Sequence, residues 1–176
     1  MFKLVQAGAE PGTTRLVADA PLRPEDFDAV VAETGSPRVR AKKTGFVAAR
    51  RALMREPVVT WWNGREMTAV AEPGDFVVAN VTPDRSVLRD RDGNPNLYVI
   101  GGARFPDLYA RDTGETEYGE IYRAIGIVEA VFLPGGFDIV LPKGDRQVAD
   151  VGYLLRSGPE VYGNNAETFE KTYLVL

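Results

Sequence analysis

Hydrophobic positions along this chain fall in short runs broken by glycine, proline and asparagine, the signature of strands joined by tight turns, and helix-length periodicity is rare. Phe2, Leu4 and Gln6 mark a first short strand, Arg15-Leu16-Val17-Ala18 a second, with Pro11-Gly12 as the turn between them. Pro24, followed by acidic Glu25, Asp26 and Asp28 and by apolar Phe27, Val30 and Val31, predicts one short helix that Gly35 closes. Pro57 to Trp62 and Glu66 to Val70 flank Asn63-Gly64, a strong two-residue hairpin signal. Strands are likewise predicted over Phe76 to Val81, Ile125 to Leu133 and Phe137 to Leu141, and Tyr173 to Leu176 ends the chain extended.

Part of this pattern is stated twice. Gly74-Asp75-Phe76-Val77-Val78-Ala79-Asn80-Val81 aligns with Gly144-Asp145-Arg146-Gln147-Val148-Ala149-Asp150-Val151. Tyr98, Phe105 and Tyr109 then repeat as Tyr162, Phe169 and Tyr173, with identical +7 and +11 spacings. Upstream, Arg40-Ala41 faces Arg123-Ala124 and Gly45 faces Gly126. A repeat fixes architecture before any single residue is interpreted. It predicts an N-terminal extension over 1–37, a first unit over 38–115 and a second over 116–176. The fold class expected is α+β and strand-dominated, with two tandem small β-barrel or sheet units, short helices and a pseudo-twofold relation. Residues 110–120, rich in Asp and Glu, read as an acidic linker between the units.

From Tyr122-Arg123 and Val128-Glu129-Ala130 through Gly144-Asp145 to Phe169 and Tyr173, the second unit resembles a short uncharacterised domain of prophage and bacterial genomes. That domain has the pattern (Y/K)RKKPVVVEA, then GD(W/Y/F)(I/V), then F-x-x-x-Y. The family's G-E-x-Y reads here as Gly158-Pro159-Glu160-Val161-Tyr162, and the basic triplet of its first strand is lost from the second copy. The resemblance implies a fold and a phage or mobile-element setting, and no chemistry.

Composition narrows function. The chain has no Cys and no His among its 176 residues, which closes thiolate catalysis, thiolate-bound metals and histidine acid–base chemistry. No apolar run approaches membrane-spanning length, and the first residues lack a signal-peptide pattern, so a cytoplasmic protein without membrane contact is expected. No cofactor and no metal are expected: Asp90, Asp92, Asn94 and Asn96 have calcium-loop spacing, yet Pro95 intrudes and Gly101 stands where a bidentate Glu belongs.

Seven of the 21 basic residues, Arg38, Arg40, Lys42, Lys43, Arg50, Arg51 and Arg55, fall in a segment without a single acid, on a chain of net charge −4. Alternation puts Arg38, Arg40 and Lys42 on one strand face. Such a face reads first as a solvated edge strand, and second as a contact for nucleic acid, with Trp61 and Trp62 offering a stacking surface; adjacent strand residues point to opposite faces, so one Trp belongs to the core. A carboxylate enzyme at a cleft between the units would draw on Asp75, Tyr122, Glu129, Lys143 and Asp145, although an Asp after Gly at a strand mouth ordinarily caps a turn. A structural or assembly protein is the third class. The expectation that leads is a non-catalytic binding module that occupies a protein or nucleic-acid surface through Arg38, Arg40, Lys42, Lys43, Arg50, Arg51, Trp61 and Trp62.

Overall fold

The computed structural model describes residues 2–6, 13–142 and 144–176, so the Pro11-Gly12 turn and Lys143 lie outside the described residues. Along the chain come β1 (Phe2–Gln6), β2 (Thr14–Pro21), α1 (Pro24–Thr34), β3 (Arg38–Lys43), β4 (Phe46–Arg51), β5 (Glu56–Trp62), β6 (Arg65–Ala71), β7 (Phe76–Val81) and β8 (Leu97–Ile100). The single turn α2 (Phe105–Leu108) follows, then β9 (Tyr109–Thr116), β10 (Gly119–Ala124), β11 (Ile127–Leu133), β12 (Phe137–Val140), β13 (Arg146–Ala149), β14 (Gly152–Ser157), β15 (Glu160–Asn165), α3 (Ala166–Thr172) and β16 (Tyr173–Val175). Strands dominate, with few short helices.

Local chemistry accounts for the elements. α1 opens with Pro24, whose missing N–H costs nothing at a helix start, while the Asp26 carboxylate accepts the Arg23 backbone N–H at 2.8 Å. It ends where Gly35 turns left-handed, φ 67°, and donates to Val31 O. Asn63 and Gly64, at φ 52° and 80°, form the turn with two left-handed residues that joins β5 to β6.

Two compact units emerge, residues 1–43 with 127–176, and residues 44–126. In the first, an open antiparallel sheet runs β15-β14-β11-β3-β16. One of its faces carries the Phe169 ring of α3, packed with Ala41, Val128, Ala130 and Leu155. Its other face presents Val131, Leu133, Leu154 and Val161 to α1, through Phe27 and Val30, and to a second sheet, β1-β2-β12-β13, through Leu16, Phe137 and Ile139. β2 joins β12 in parallel. The described part of the extension 1–37 is thus built into this unit.

In the unit 44–126 the sheet runs β8-β7-β4-β10-β9. Phe105 of α2 covers one face with Val47, Ala49, Phe76 and Val78. On the opposite face, the two-stranded β5–β6 ribbon packs through Val58 and Ala71 onto Val77, Leu97 and Val99.

The two five-stranded sheets match strand for strand, and β3 and β10 hold the same place in them. Arg123 of β10 pairs with Phe46, and Lys42 of β3 pairs with Ile127, an offset of 81 residues from Phe46 to Ile127 and from Lys42 to Arg123 that the rest of both ladders keeps. Tyr98 lies opposite Val78 and Tyr162 opposite Leu155; Tyr109 lies opposite Ala124 and Tyr173 opposite Lys43. Each of β3 and β10 sits in the sheet of one unit while its successor in the chain, β4 or β11, sits in the sheet of the other.

Several expectations change. β3 is not an edge strand: it lies between β11 and β16. The acidic stretch 110–120 is not a linker but most of the β9–β10 hairpin. The partner of Phe76 in the matching ladder is Tyr153, opposite Phe132 as Phe76 is opposite Arg51, whereas Gly144-Asp145 lies in the turn before β13 and so does not hold the ladder place of Gly74-Asp75. The Tyr of each F-x-x-x-Y begins the strand that follows the helix.

Candidate interaction surface

The basic segment is divided between the two units, and most of its guanidinium groups are engaged at home. Arg38 bonds Asp28 at 2.7 Å and Glu129 at 3.0 Å and lies over the Phe27 ring. Arg40 is exposed with Glu129 directly across the ladder, while Lys42 is half-buried between Ile127 and Leu174 and Lys43 is half-buried beside Tyr173. On the other unit Arg50 bonds Glu56, whose carboxyl it holds below the usual range. Arg51 lies 4.8 Å over the Phe76 ring, and Arg55 pairs with Glu72 at 3.1 Å. The acids of 110–120 meet other partners: Asp112 pairs with Arg85, Glu117 with Arg89 and Glu120 with Arg111. On β3, Arg38 and Arg40 thus face Glu129, while Lys42 and Lys43 lie beside apolar and aromatic neighbours.

Of the two tryptophans, Trp62 is half-buried on the sheet-facing side of the ribbon and neither is fully buried; Trp61, 49% exposed, stands on the outward side. Val59 and Val70, each 44% exposed, share that side, and Leu53 and Met54, 86% and 68% exposed, lie in the connection leading to β5. Sequence reasoning missed these four. The available signal was Pro57-Val58-Val59-Thr60-Trp61-Trp62 itself, apolar at both even and odd positions, which asks for a covering on both faces of a strand.

The carboxylates offered to catalysis have other employment. Asp75 accepts the backbone N–H of Glu72 at 2.9 Å and of Gly102 at 3.4 Å, fixing its turn. Tyr122 meets the Phe105 ring edge-on at 4.9 Å, and Glu129 is held by Arg38. Asp145 lines a cavity of about 300 Å³ with Leu141, Pro142, Gln147, Glu160 and Tyr162. Asp75 and Tyr122 belong to one unit, Glu129 and Asp145 to the other. Asp90 accepts three backbone N–H groups, of Asn63, Asp92 and Asn94, each at 2.9 Å, which turns its oxygens into the loop and lowers its proton affinity. Among the described residues, no three Asp or Glu gather as a metal-binding group. Burial pushes the Tyr98 phenol well above the usual value, with Tyr109 adding to the effect, and its hydroxyl donates to Asn80 at 2.9 Å.

Set against protein-family models, curated proteins and solved structures, the chain matches none. Among the described residues no helix is long and apolar enough to cross a membrane.

Proposed function

We propose that the chain is a tandem duplication, its copies spanning β3 to β9 and β10 to β16 and trading first strands, that serves as a non-catalytic binding module. The matching ladders and the repeated Tyr, Phe, Tyr frame support the duplication. The prophage-type resemblance of the second copy supplies the setting, a mobile-element protein acting in the cytoplasm. The observation that carries the binding reading is the outward side of the β5–β6 ribbon, where Val59, Trp61 and Val70 stand together exposed. Clustered apolar side chains with an aromatic anchor are characteristic of protein-binding surfaces. The partner is a protein rather than nucleic acid, because Arg38, Arg50 and Arg55 are spent on carboxylates of the same unit.

The test is capture from a cell lysate by the purified chain, by an R40E/K42E variant, and by a W61S/V70E variant, with and without nuclease. A stoichiometric protein held by the native chain and the R40E/K42E variant and lost by the W61S/V70E variant, with unchanged circular dichroism, is the expected result. A nuclease-sensitive and salt-sensitive yield that only R40E/K42E abolishes would overturn it.

A further inference from the structure

The β5–β6 ribbon has a counterpart in the other unit, the β12–β13 hairpin. Each hairpin follows the central strand β4 or β11, precedes β7 or β14, and packs on the same side of the equivalent sheet. Phe137 of β12 lies where a Cβ on Gly152 or Gly163 would strike its ring, and Val58 of β5 lies against Val77 and Val99, the ladder equivalents of Leu154 and Gly163. The correspondence reaches a finer device. In each unit a hairpin side chain closes the outer edge of the neighbouring sheet: Gln147 donates to Gly163 O and accepts from Gly163 N–H at 2.6 and 2.7 Å. Thr60 donates to Pro95 O and accepts from Leu97 N–H at 2.7 and 3.3 Å.

One difference remains. The outer edge of β12 is occupied by β2, running parallel to it, whereas no strand among the described residues pairs with the outer edge of β5. With a two-residue turn closing the ribbon, Trp62 and Arg65 form a hydrogen-bonded pair, so the backbone groups of Trp61 and Val59 point away from β6. Pro57 lacks an N–H, leaving two amide donors on this edge. Natural edges are ordinarily guarded by charge or by a plug; β8 and β15 have Thr60 and Gln147, β9 carries Arg111, Asp112 and Glu115, and β16 is three residues long. From Pro57 to Trp62 β5 carries no charge at all.

From this pair we infer that the outer edge of β5 is a docking site for an extended peptide segment of a partner protein with apolar residues at alternate positions, added parallel to β5 as β2, with Leu16 and Ala18, is added to β12. The inference rests on the binding reading above and specifies its geometry. Main-chain hydrogen bonds to Val59 and Trp61 give the added strand its hold, and the exposed Val59 and Trp61 side chains flank its own apolar positions. Parallel addition excludes a second copy of β5 as occupant, since two copies of one edge meeting about a twofold perpendicular to the sheet run antiparallel.

The experiment uses the full chain and a capped peptide of the β2 sequence, Thr14 to Pro21, observed by amide NMR. Saturable shifts and slowed solvent exchange at the Val59 and Trp61 amides are expected. Val59→Pro removes one donor on an edge that already tolerates Pro57; it is expected to weaken the peptide at least tenfold while leaving the melting temperature near that of the native chain. Unperturbed Val59 and Trp61 amides at roughly millimolar peptide, or responses confined to β12 through displacement of β2, would overturn the inference. Should Val59→Pro unfold the ribbon, protection of the two amides in the native chain decides alone. Loss of the captured partner by W61S/V70E with unprotected amides would refute strand addition while leaving the binding surface standing.

Discussion

Tyr153 lies face to face with Phe169 at 3.9 Å between ring centroids, and Phe76 does the same with Phe105 at the same distance. In each unit the second ring then stacks on the tyrosine four residues on, Tyr173 at 5.1 Å or Tyr109 at 5.2 Å. The rings fasten a helix of seven or four residues, too short to hold its own shape, to the sheet beneath. Phe169 and Phe105 are almost fully buried, so Phe169→Ala and Phe105→Ala are each expected to cost about 3–5 kcal/mol in urea unfolding. A loss under about 1 kcal/mol would show that the stack is not what secures the helix.

The sheet order predicts where damage appears, since β3 lies between β11 and β16 and not beside β4. Ala41 of β3 is fully buried among Val128, Leu155 and Phe169. A charge there, as in Ala41→Glu, is expected to raise hydrogen exchange in β11 and β14 well before β4 and β7, although β4 is its neighbour in the chain. Greater opening of β4 would contradict the sheet order.

Gly163 has room for nothing: a Cβ there would come within 2.4 Å of the buried Phe137 ring. Gly163→Ala therefore forces that ring to move and is expected to destabilise by about 1–3 kcal/mol, measured by thermal or urea unfolding. The same change at Gly101, where a Cβ meets nothing within 4 Å, serves as the control.

Asp75 distinguishes turn from chemistry. Asp75→Ala frees the Glu72 N–H and is expected to cost about 0.5–2 kcal/mol of stability. Asp75→Asn, which keeps an acceptor oxygen, is expected to recover most of it. Partner capture should be unchanged by either.

Tyr98 governs the alkaline side. Its phenol is raised in the folded chain, above the ordinary 10, so the folded state holds the proton longer than the unfolded state does. Its contribution is complete below pH 10 and is lost as pH climbs from there toward the folded value. Unfolding free energy should fall over that window, and Tyr98→Phe should flatten the fall while costing about 1 kcal/mol near neutrality for the hydrogen bond to Asn80.

Strands and turns were legible in the residues because their causes are local. Asn63-Gly64 demands its hairpin, Pro24 with Gly35 brackets its helix, and short apolar runs between turn residues mark β5, β6, β7 and β11. Pairing was not legible, because nothing near Arg38 says that its ladder partners lie beyond Ile127. The charges on β3 suggested an edge, yet β16, only three residues long, covers that side and Glu129 answers Arg38 and Arg40 across the other. Gly-Asp recurred as turn chemistry that any hairpin can reuse, whereas the aromatic frame, tied to packing, followed the ladder. Of the candidate surface, Trp61 was visible and its companions Val59 and Val70 were not, since an apolar strand does not announce which face goes uncovered.

Arg38 and Glu129 are 91 residues apart in the chain. During synthesis at roughly 5–20 residues per second, β3 therefore emerges several seconds before the strand it pairs with exists. Over the same interval β4 waits for β10, with the flank of its sheet open. Neither five-stranded sheet can be completed before β10 and β11 have followed. Arg38, Arg40, Lys42 and Lys43 make β3 a segment that water keeps apart from other chains until Glu129 arrives.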